Sequence, residues 1–356
     1  MAKKLKISPS RQHPGLFDLT GDLFAERDIP DKLSFPAPER IRDFEITGLS
    51  GRPEAVADKP YALHELRRNA LREVRSLKFI SFGSGSSGNS AYIGDDNCGI
   101  LIDAGVDTDT VKAALRRHGL SLDNVKAVCL THDHGDHVRF VYSLVRKHTH
   151  IGVYCTPKVL SGILRRHSIS RRINDYHRPI YKEFPFRVGD FEITAFDVSH
   201  DGTDNSGFFI TNGDFSFAIA TDLGCITSRV DYYMRRARFI MLESNYDLRM
   251  LRTGPYPMYL KARIEADSGH LDNTVAAQFL ASVYRPEVSH IFLCHLSNEN
   301  NTPAAATEAV SSALIGAGVT SVGDGSGSIA SRDCPVQLVA LPRSEASPLF
   351  LLRLND

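Results

Sequence analysis

Residues 131 to 137 read Thr-His-Asp-His-Gly-Asp-His, so His132, His134, Asp136 and His137 crowd four metal-ligating side chains into six positions. Upstream, Asn124 to Leu130 is an apolar run of strand length containing Val125, Val128 and Leu130. Downstream, Val138 to Lys147 carries helix-spaced apolar residues. The cluster therefore sits on a strand-to-helix turn, a loop carried by a rigid scaffold. Imidazole nitrogen together with carboxylate oxygen suits zinc, manganese or iron, whereas a thiolate-rich cluster would indicate a closed structural zinc site. The mixture points to catalysis, and solvated histidines in a polar turn are a poor account of this spacing.

A chain of 356 residues with 42% hydrophobic content can bury a sizeable core, as one large or two modest domains. Forty-two basic residues balance 42 acidic ones, so no global positive field announces nucleic acid, although bound metal ions would add local positive charge that residue counting misses. The six cysteines, Cys98, Cys129, Cys155, Cys225, Cys294 and Cys334, form no Cys-x-x-Cys pair and read as buried thiols in a reducing cytosol. Met1 to Gly15 is basic without an apolar core segment, and no stretch approaches the roughly 18 uninterrupted apolar residues of a membrane helix. The expectation is a cytoplasmic protein with no membrane partner.

The pattern changes near residue 77. Residues 1–76 read as an N-terminal extension: Pro9 to Asp58 is rich in proline and charge, and Tyr61 to Leu77 places Leu63, Leu66, Ala70, Leu71, Val74 and Leu77 near one helical face, as a docking helix would. Residues 77–356 read as the catalytic domain. Strands are expected at Leu77–Phe82, Ala91–Ile93, Ile100–Asp103, Gly152–Cys155, Phe191–Asp197, Gly207–Thr211, Phe215–Thr221, Phe239–Leu242 and Ile291–Cys294. Helices are expected at Asp109–His118, Val159–Arg166, Leu271–Val283 and Pro303–Leu314. Short hairpin turns between several strands favour two mixed sheets enclosed by helices, an α/β protein, over a purely parallel doubly wound sheet.

Further candidate ligands close the apolar strands. Asp103 ends Leu-Ile-Asp-Ala-Gly, His200 ends Val-Ser-His, Asp222 ends Ala-Thr-Asp-Leu-Gly and His295 ends Ile-Phe-Leu-Cys-His. A polar residue at a strand end enters the loop layer above the sheet, where groups distant in sequence can converge. Singly, each has an ordinary alternative as a turn, capping or solvated residue.

The ordered set Asp103, His132-x-His134-x-Asp136-His137, His200, Asp222 and His295 resembles the metallo-β-lactamase fold, an αββα four-layer sandwich, over residues 78 to about 320. Five further stretches, Ser84-Gly85-Ser86-Ser87-Gly88-Asn89, Leu242-Glu243-Ser244-Asn245, Gly254-Pro255-Tyr256-Pro257, Gly269-His270-Leu271 and His295-Leu296-Ser297 with Asn300-Asn301, resemble its YycJ/WalJ branch of bacterial cytoplasmic nucleases, described as exonucleases working from a 5′ end. Asp272 stands where that branch has serine, Tyr246 where histidine is common, and the long extension is additional.

The resemblance implies that His132, His134 and His200 hold one divalent ion, that Asp136, His137 and His295 hold a second, and that Asp222 bridges them; zinc and manganese both suit these donors. Two dications roughly 3.5–4 Å apart need anionic oxygen between them, and the resemblance implies a shared hydroxide that attacks phosphorus, with Asp136 counted among the catalytic residues. Asp103 would accept an imidazole proton and fix a ligand's tautomer. Glu243 and His270 match an acidic residue and histidine of RNase J-type nucleases, which implies a pair that binds a phosphoryl oxygen or protonates the leaving group. A helix-entry role is the alternative for His270. Ser87, Asn89 and Ser297 are expected substrate contacts, with a flexible hairpin connection as the other account of the 83–89 turn. The basic stretch from Arg165 to Lys182 reads as solvated surface rather than a track for a strand.

The expected function is a metal-dependent phosphodiesterase acting on nucleic acid, DNA in preference to RNA, as a 5′-to-3′ exonuclease. A small-molecule metallohydrolase of the same fold, cleaving a cyclic phosphodiester, thioester or lactam, is the alternative. A non-enzymatic metal-stabilised module is the third reading.

Overall fold

The computed structural model describes residues 76–325 and 334–354; the helix expected near residues 61–77 lies outside the described residues. The first sheet begins as an antiparallel meander of β1 (Leu77–Gly83), β2 (Ser90–Gly94) and β3 (Gly99–Ile102). Then the connections lengthen. Helix α1 (Thr108–Arg117) leads to β4 (Val125–Cys129), α2 (Gly135–Val138) and α3 (Val141–Lys147) lead to β5 (Gly152–Cys155), and α4 (Pro157–Arg166) precedes β6 (His177–Pro179). These three strands add in parallel, as crossover helices require.

The second sheet repeats that logic. Its strands β7 (Phe186–Val188), β8 (Phe191–Asp197), β9 (Ser206–Asn212) and β10 (Phe215–Ala220) are antiparallel. The β7–β8 and β9–β10 turns each have two residues and open with a glycine, Gly189 and Gly213, both at φ +58°, the left-handed geometry a tight hairpin needs. After α5 (Ser228–Met234), the sheet turns parallel with β11 (Phe239–Glu243). Helices α6 (Leu248–Thr253), α7 (Met258–Glu265) and α8 (Asn273–Val283) intervene before β12 (His290–Cys294), and α9 (Pro303–Gly316) follows it. Strands β13 (Val322–Gly323) and β14 (Val336–Ala340) complete this sheet, while β15 (Phe350–Leu352) crosses back to pair antiparallel with β1.

Phenylalanines join the sheets. Phe79 of β1 lies 4.6 Å, centroid to centroid, from Phe292 of β12 and 5.2 Å from Phe217 of β10. On the outer face of the first sheet, Leu101, Val128 and Val153 pack with Leu115, Leu144 and Ile163 of the helices. On the outer face of the second, Ile240, Leu242 and Leu293 pack with Leu280, Val310 and Leu314. The result is the expected αββα sandwich. Strands β11 and β12 are buried along their whole length, which is why they read as continuous apolar runs rather than alternating ones.

One helix differs from its sequence pattern. Helical spacing from Val138 to Lys147 is divided between α2 and α3, because the intervening backbone bonds elsewhere: Asp136 O accepts from Asn89 N at 2.8 Å, His137 O from Ala104 N at 2.7 Å, and Phe140 N donates to Ala104 O at 2.9 Å. Those bonds draw the heptapeptide turn against the ends of β2 and β3.

Candidate metal and catalytic site

The site lies beyond the ends of β3, β4, β10, β11 and β12. Asp103, Asp222 and His295, which follow β3, β10 and β12, all adopt left-handed backbone conformations at φ 60°, 54° and 54°. Such geometry is uncommon for residues other than glycine and collects at functional sites. Here it turns each chain sharply as it leaves the sheet, so that its side chain enters the shared layer.

The structure brings the seven expected ligands together. Donor atoms of His132, His134 and His200 lie within 4.8 Å of one another, and those of Asp136, His137 and His295 form a second such group. Asp222 stands between them: one oxygen is 3.2 Å from His137 Nε2, and the other is 3.8 Å from His200 Nε2 and 3.4 Å from His295 Nδ1. Acceptors below the cluster, two carboxylates and a backbone carbonyl, fix which imidazole nitrogen faces it. His137 Nδ1 donates to Asp103 Oδ2 at 2.7 Å, His200 Nδ1 to Gly269 O at 3.0 Å, and His295 Nδ1 to Glu243 Oε1 at 2.8 Å. An acceptor at Nδ1 leaves the lone pair on Nε2, the arrangement a metal-ligating histidine requires. Asp103 is itself held by the Thr131 backbone N–H at 2.8 Å and the Thr131 hydroxyl at 2.9 Å.

His132 Nε2 and His295 Nε2 are buried without a hydrogen-bond partner, a costly state for a polar atom unless a ligand completes it. With nitrogen and carboxylate donors around them, these orphaned atoms fit divalent cations. Electrostatics point the same way. Burial opposes ionisation of Asp222, but His295 and His137 outweigh it and hold its carboxyl well below the usual range. Burial, with His137 second, keeps His132 well below the ordinary imidazole value and therefore neutral. For His295, burial is outweighed by Asp222, Asp136 and Glu243, which raise it to about 10.

Glu243 and His270 do form a pair. His270 Nδ1 donates to Glu243 Oε1 at 2.8 Å, and the fully buried Glu243 also accepts from Leu223 N at 2.8 Å and Leu271 N at 3.3 Å. One carboxylate oxygen thus serves both His270 and His295. His270 is not the helix cap: Asp272 takes that place on α8, accepting from Thr274 N at 2.7 Å and Val275 N at 3.3 Å.

A cleft of about 290 Å³ opens over the cluster, and Ser86, Asn245, Tyr256, Arg263, His270 and Ser297 are among the residues lining it. Ser297 is thus part of the cleft wall. Asn89 is buried beneath, its amide committed to Gly85 O, Asp136 Oδ2 and His137 Nε2 at 3.0, 3.1 and 3.0 Å, so it braces ligands. Ser87 is exposed, and its neighbour Ser86 faces the cleft. In the basic stretch, Arg166, Arg172 and Lys182 each lie within ion-pair distance of an aspartate.

Other site residues went unnoticed in the sequence. Asp133, in the middle of the heptapeptide, is buried and accepts from Thr203 N at 3.0 Å, bracing the His132–His134 turn. Asp201 Oδ1 sits 3.4 Å from His134 Nε2 and 3.5 Å from His200 Nε2. Adjacency to His200 was its sole signal, while Arg263, 62 positions away, had none.

Comparisons agree with the geometry. The chain is 34% identical over 244 residues to the exodeoxyribonuclease YycJ of Bacillus anthracis, covering 67% of this chain and 89% of that one. It is 30% identical over 226 residues to the exodeoxyribonuclease WalJ of Streptococcus pneumoniae, covering 63% and 83%. Among solved structures, the metallo-β-lactamase fold protein YhfI from Bacillus subtilis superposes with a TM-score of 0.53 at 12% identity, covering 77% of this chain and 99% of that one. Zinc-bound PqqB from Methylobacterium extorquens gives 0.53 at 16% identity, covering 76% and 99%. The family described as the β-lactamase superfamily domain matches residues 99–295, and the chain belongs to that superfamily.

Proposed function

We propose that the protein is a metal-dependent phosphodiesterase that degrades DNA from a 5′ end. One observation carries the reading: two groups of three donors flank Asp222, and two buried imidazole nitrogens among them lack partners, at the floor of an open cleft. The 34% identical relative named an exodeoxyribonuclease supports DNA as substrate. In this reading His132, His134 and His200 would hold one cation and Asp136, His137 and His295 another, with the Asp222 carboxylate lying between the two groups. Divalent cations held there supply what side chains cannot, lowering the pKa of water toward neutrality and neutralising charge that grows on phosphoryl oxygens; zinc and manganese both suit the donors.

The chain's own residues do the rest. Asp103, Gly269 O and Glu243 keep three ligand imidazoles in the tautomer that presents Nε2. Burial opposes ionisation of Glu243, but His270 and His295 outweigh it and keep it anionic. His270 lines the cleft and donates from Nδ1 to Glu243, which orients its ring to hold a non-bridging oxygen or pass a proton to the departing alkoxide. A cytoplasmic location fits the buried thiols of Cys98, Cys129, Cys155 and Cys294, and no helix among the described residues is long and apolar enough to cross a membrane.

End-labelled single-stranded DNA and RNA incubated with manganese test the proposal. Sequential loss of 5′-terminal nucleotides, abolished in Asp136→Ala, is the expected outcome. Turnover confined to small cyclic phosphodiesters or thioesters would replace this reading with the small-molecule hydrolase, and metal-dependent melting without turnover would replace it with a non-catalytic module.

A further inference from the structure

One wall of the cleft is built differently from the rest. The floor is histidine and carboxylate, but Tyr256, Leu260, Arg263 and Ile264, from α7 and the turn before it, present an aromatic ring, two aliphatic chains and a guanidinium. Arg263 donates from Nε to Asp201 Oδ2 at 2.9 Å and from Nη2 to the same oxygen at 2.7 Å. Guanidinium carries five N–H donors in a fixed plane, so three remain beyond this ion pair. An exposed ion pair is ordinarily worth little, but this one is anchored inward: the other Asp201 oxygen is buried without a hydrogen bond, beside His134 and His200.

The wall is also rigid. Lys261, nearly buried, donates to the carbonyls of Arg252 and Gly254 at 2.8 Å each, pinning the Gly254-Pro255-Tyr256-Pro257 turn to α7. At the far end of α7, His270 N donates to Ile264 O at 2.9 Å, and Gly269 O accepts from His200. Tyr256 and Arg263 are therefore tied to the same short segment that positions His270 and His200. A small diester needs no second phosphate site and no stacking surface; a polynucleotide has a phosphate and a base to offer beside every scissile bond. A guanidinium forks onto phosphate oxygens, and a tyrosine face stacks any base.

We propose that the α7 wall is the nucleotide-recognition face of the cleft: Arg263, held by Asp201, binds the phosphate adjacent to the scissile one, and Tyr256 stacks the base between them. The assignment rests on the nuclease reading and adds to it the residues that distinguish a polynucleotide from a small ester.

The test is binding of a fluorescein-labelled, cleavage-resistant phosphorothioate dodecathymidylate in manganese, followed by anisotropy over a salt series. Arg263→Gln should raise Kd about tenfold and lower the salt slope by about one. Arg187→Gln, at an exposed arginine on β7 paired with Glu192, should change neither. Tyr256→Ala should raise Kd about tenfold on the normal probe but not on an abasic probe of equal length, and Tyr256→Phe should bind as the parent does. Parental affinity and salt slope in Arg263→Gln, or equal losses in Arg187→Gln, would overturn the phosphate assignment. A Tyr256→Ala loss that persists on the abasic probe would overturn the stacking assignment. Either result leaves DNA cleavage by the parent protein intact, whereas a parent that neither binds nor cleaves DNA sinks the nuclease reading itself.

Discussion

Asp103 carries the tautomer of one ligand and the turn out of β3 at once. Its carboxylate is backed by two donors from Thr131 and faces His137 Nδ1, while its backbone sits at φ 60°. Asparagine tolerates that left-handed conformation nearly as well as aspartate, so Asp103→Asn removes the charge and spares the turn. Metal affinity should fall about 10–100-fold, measured by competition with a chromophoric chelator. Protons provide a second check. For His137, burial is outweighed by Asp222 and Asp103, so its imidazole is raised well above the ordinary value, and His295 is raised to about 10. Metal binding at pH 7 should therefore release protons, and affinity should climb as pH rises toward about 10, read calorimetrically in buffers of different ionisation enthalpy. In chelated protein the sign for stability is the reverse. Because the folded pKa of His295 lies above the ordinary value of 6.5, its contribution is complete below about pH 6.5 and disappears as pH passes through about 10. Alkaline denaturation of chelated protein, absent from metal-loaded protein, would register this.

At the scale of elements, α8 shows how a departure from a relative's pattern can be harmless. Asp272 stands where serine is expected, yet both are good N-cap residues, and Asp272 caps two backbone N–H groups of the helix. Asp272→Ser should leave urea unfolding of metal-loaded protein almost unchanged, whereas Asp272→Ala should cost about 1 kcal/mol. Since α8 begins three residues after His270, the alanine variant should also weaken turnover through misplacement of that ring. The division of α2 from α3 follows another rule. A helix continues only while its own carbonyls accept from its own N–H groups, and neighbouring loops claim those of Asp136 and His137. That break is what brings Asp136 and His137 to the cluster.

For the molecule as a whole, the aromatic layer between the sheets is what makes strand ends from both sheets meet. Phe292 touches Phe79 and Phe350, at centroid distances of 4.6 and 5.1 Å, and is fully buried. Phe292→Ala should cost about 3–5 kcal/mol in denaturant titration, and because His295 directly follows the strand that carries Phe292, metal affinity should fall with it. Much of this architecture is legible in the sequence: Phe191–Asp197 reads as a strand from composition alone, and β10 and β12 carry their ligands just past an apolar run, where chain direction changes abruptly. The heptapeptide shows its donor chemistry because four candidate ligands are local. Strand β15 is not legible in the same way, since Phe350–Leu352 is only three residues long and becomes a strand by pairing with β1. Nor is the grouping of ligands, the commitment of Asn89 to Asp136 and His137, or the clasp between Asp201 and Arg263. Residue types, local periodicity and strand-end position depend on neighbours in the chain, so the sequence by itself determined which candidate donors stand at strand ends and the layered fold class. Which donors share a point in space, and which arginine stands above them, depends on how two sheets stack across a phenylalanine core, and only the tertiary structure decided it.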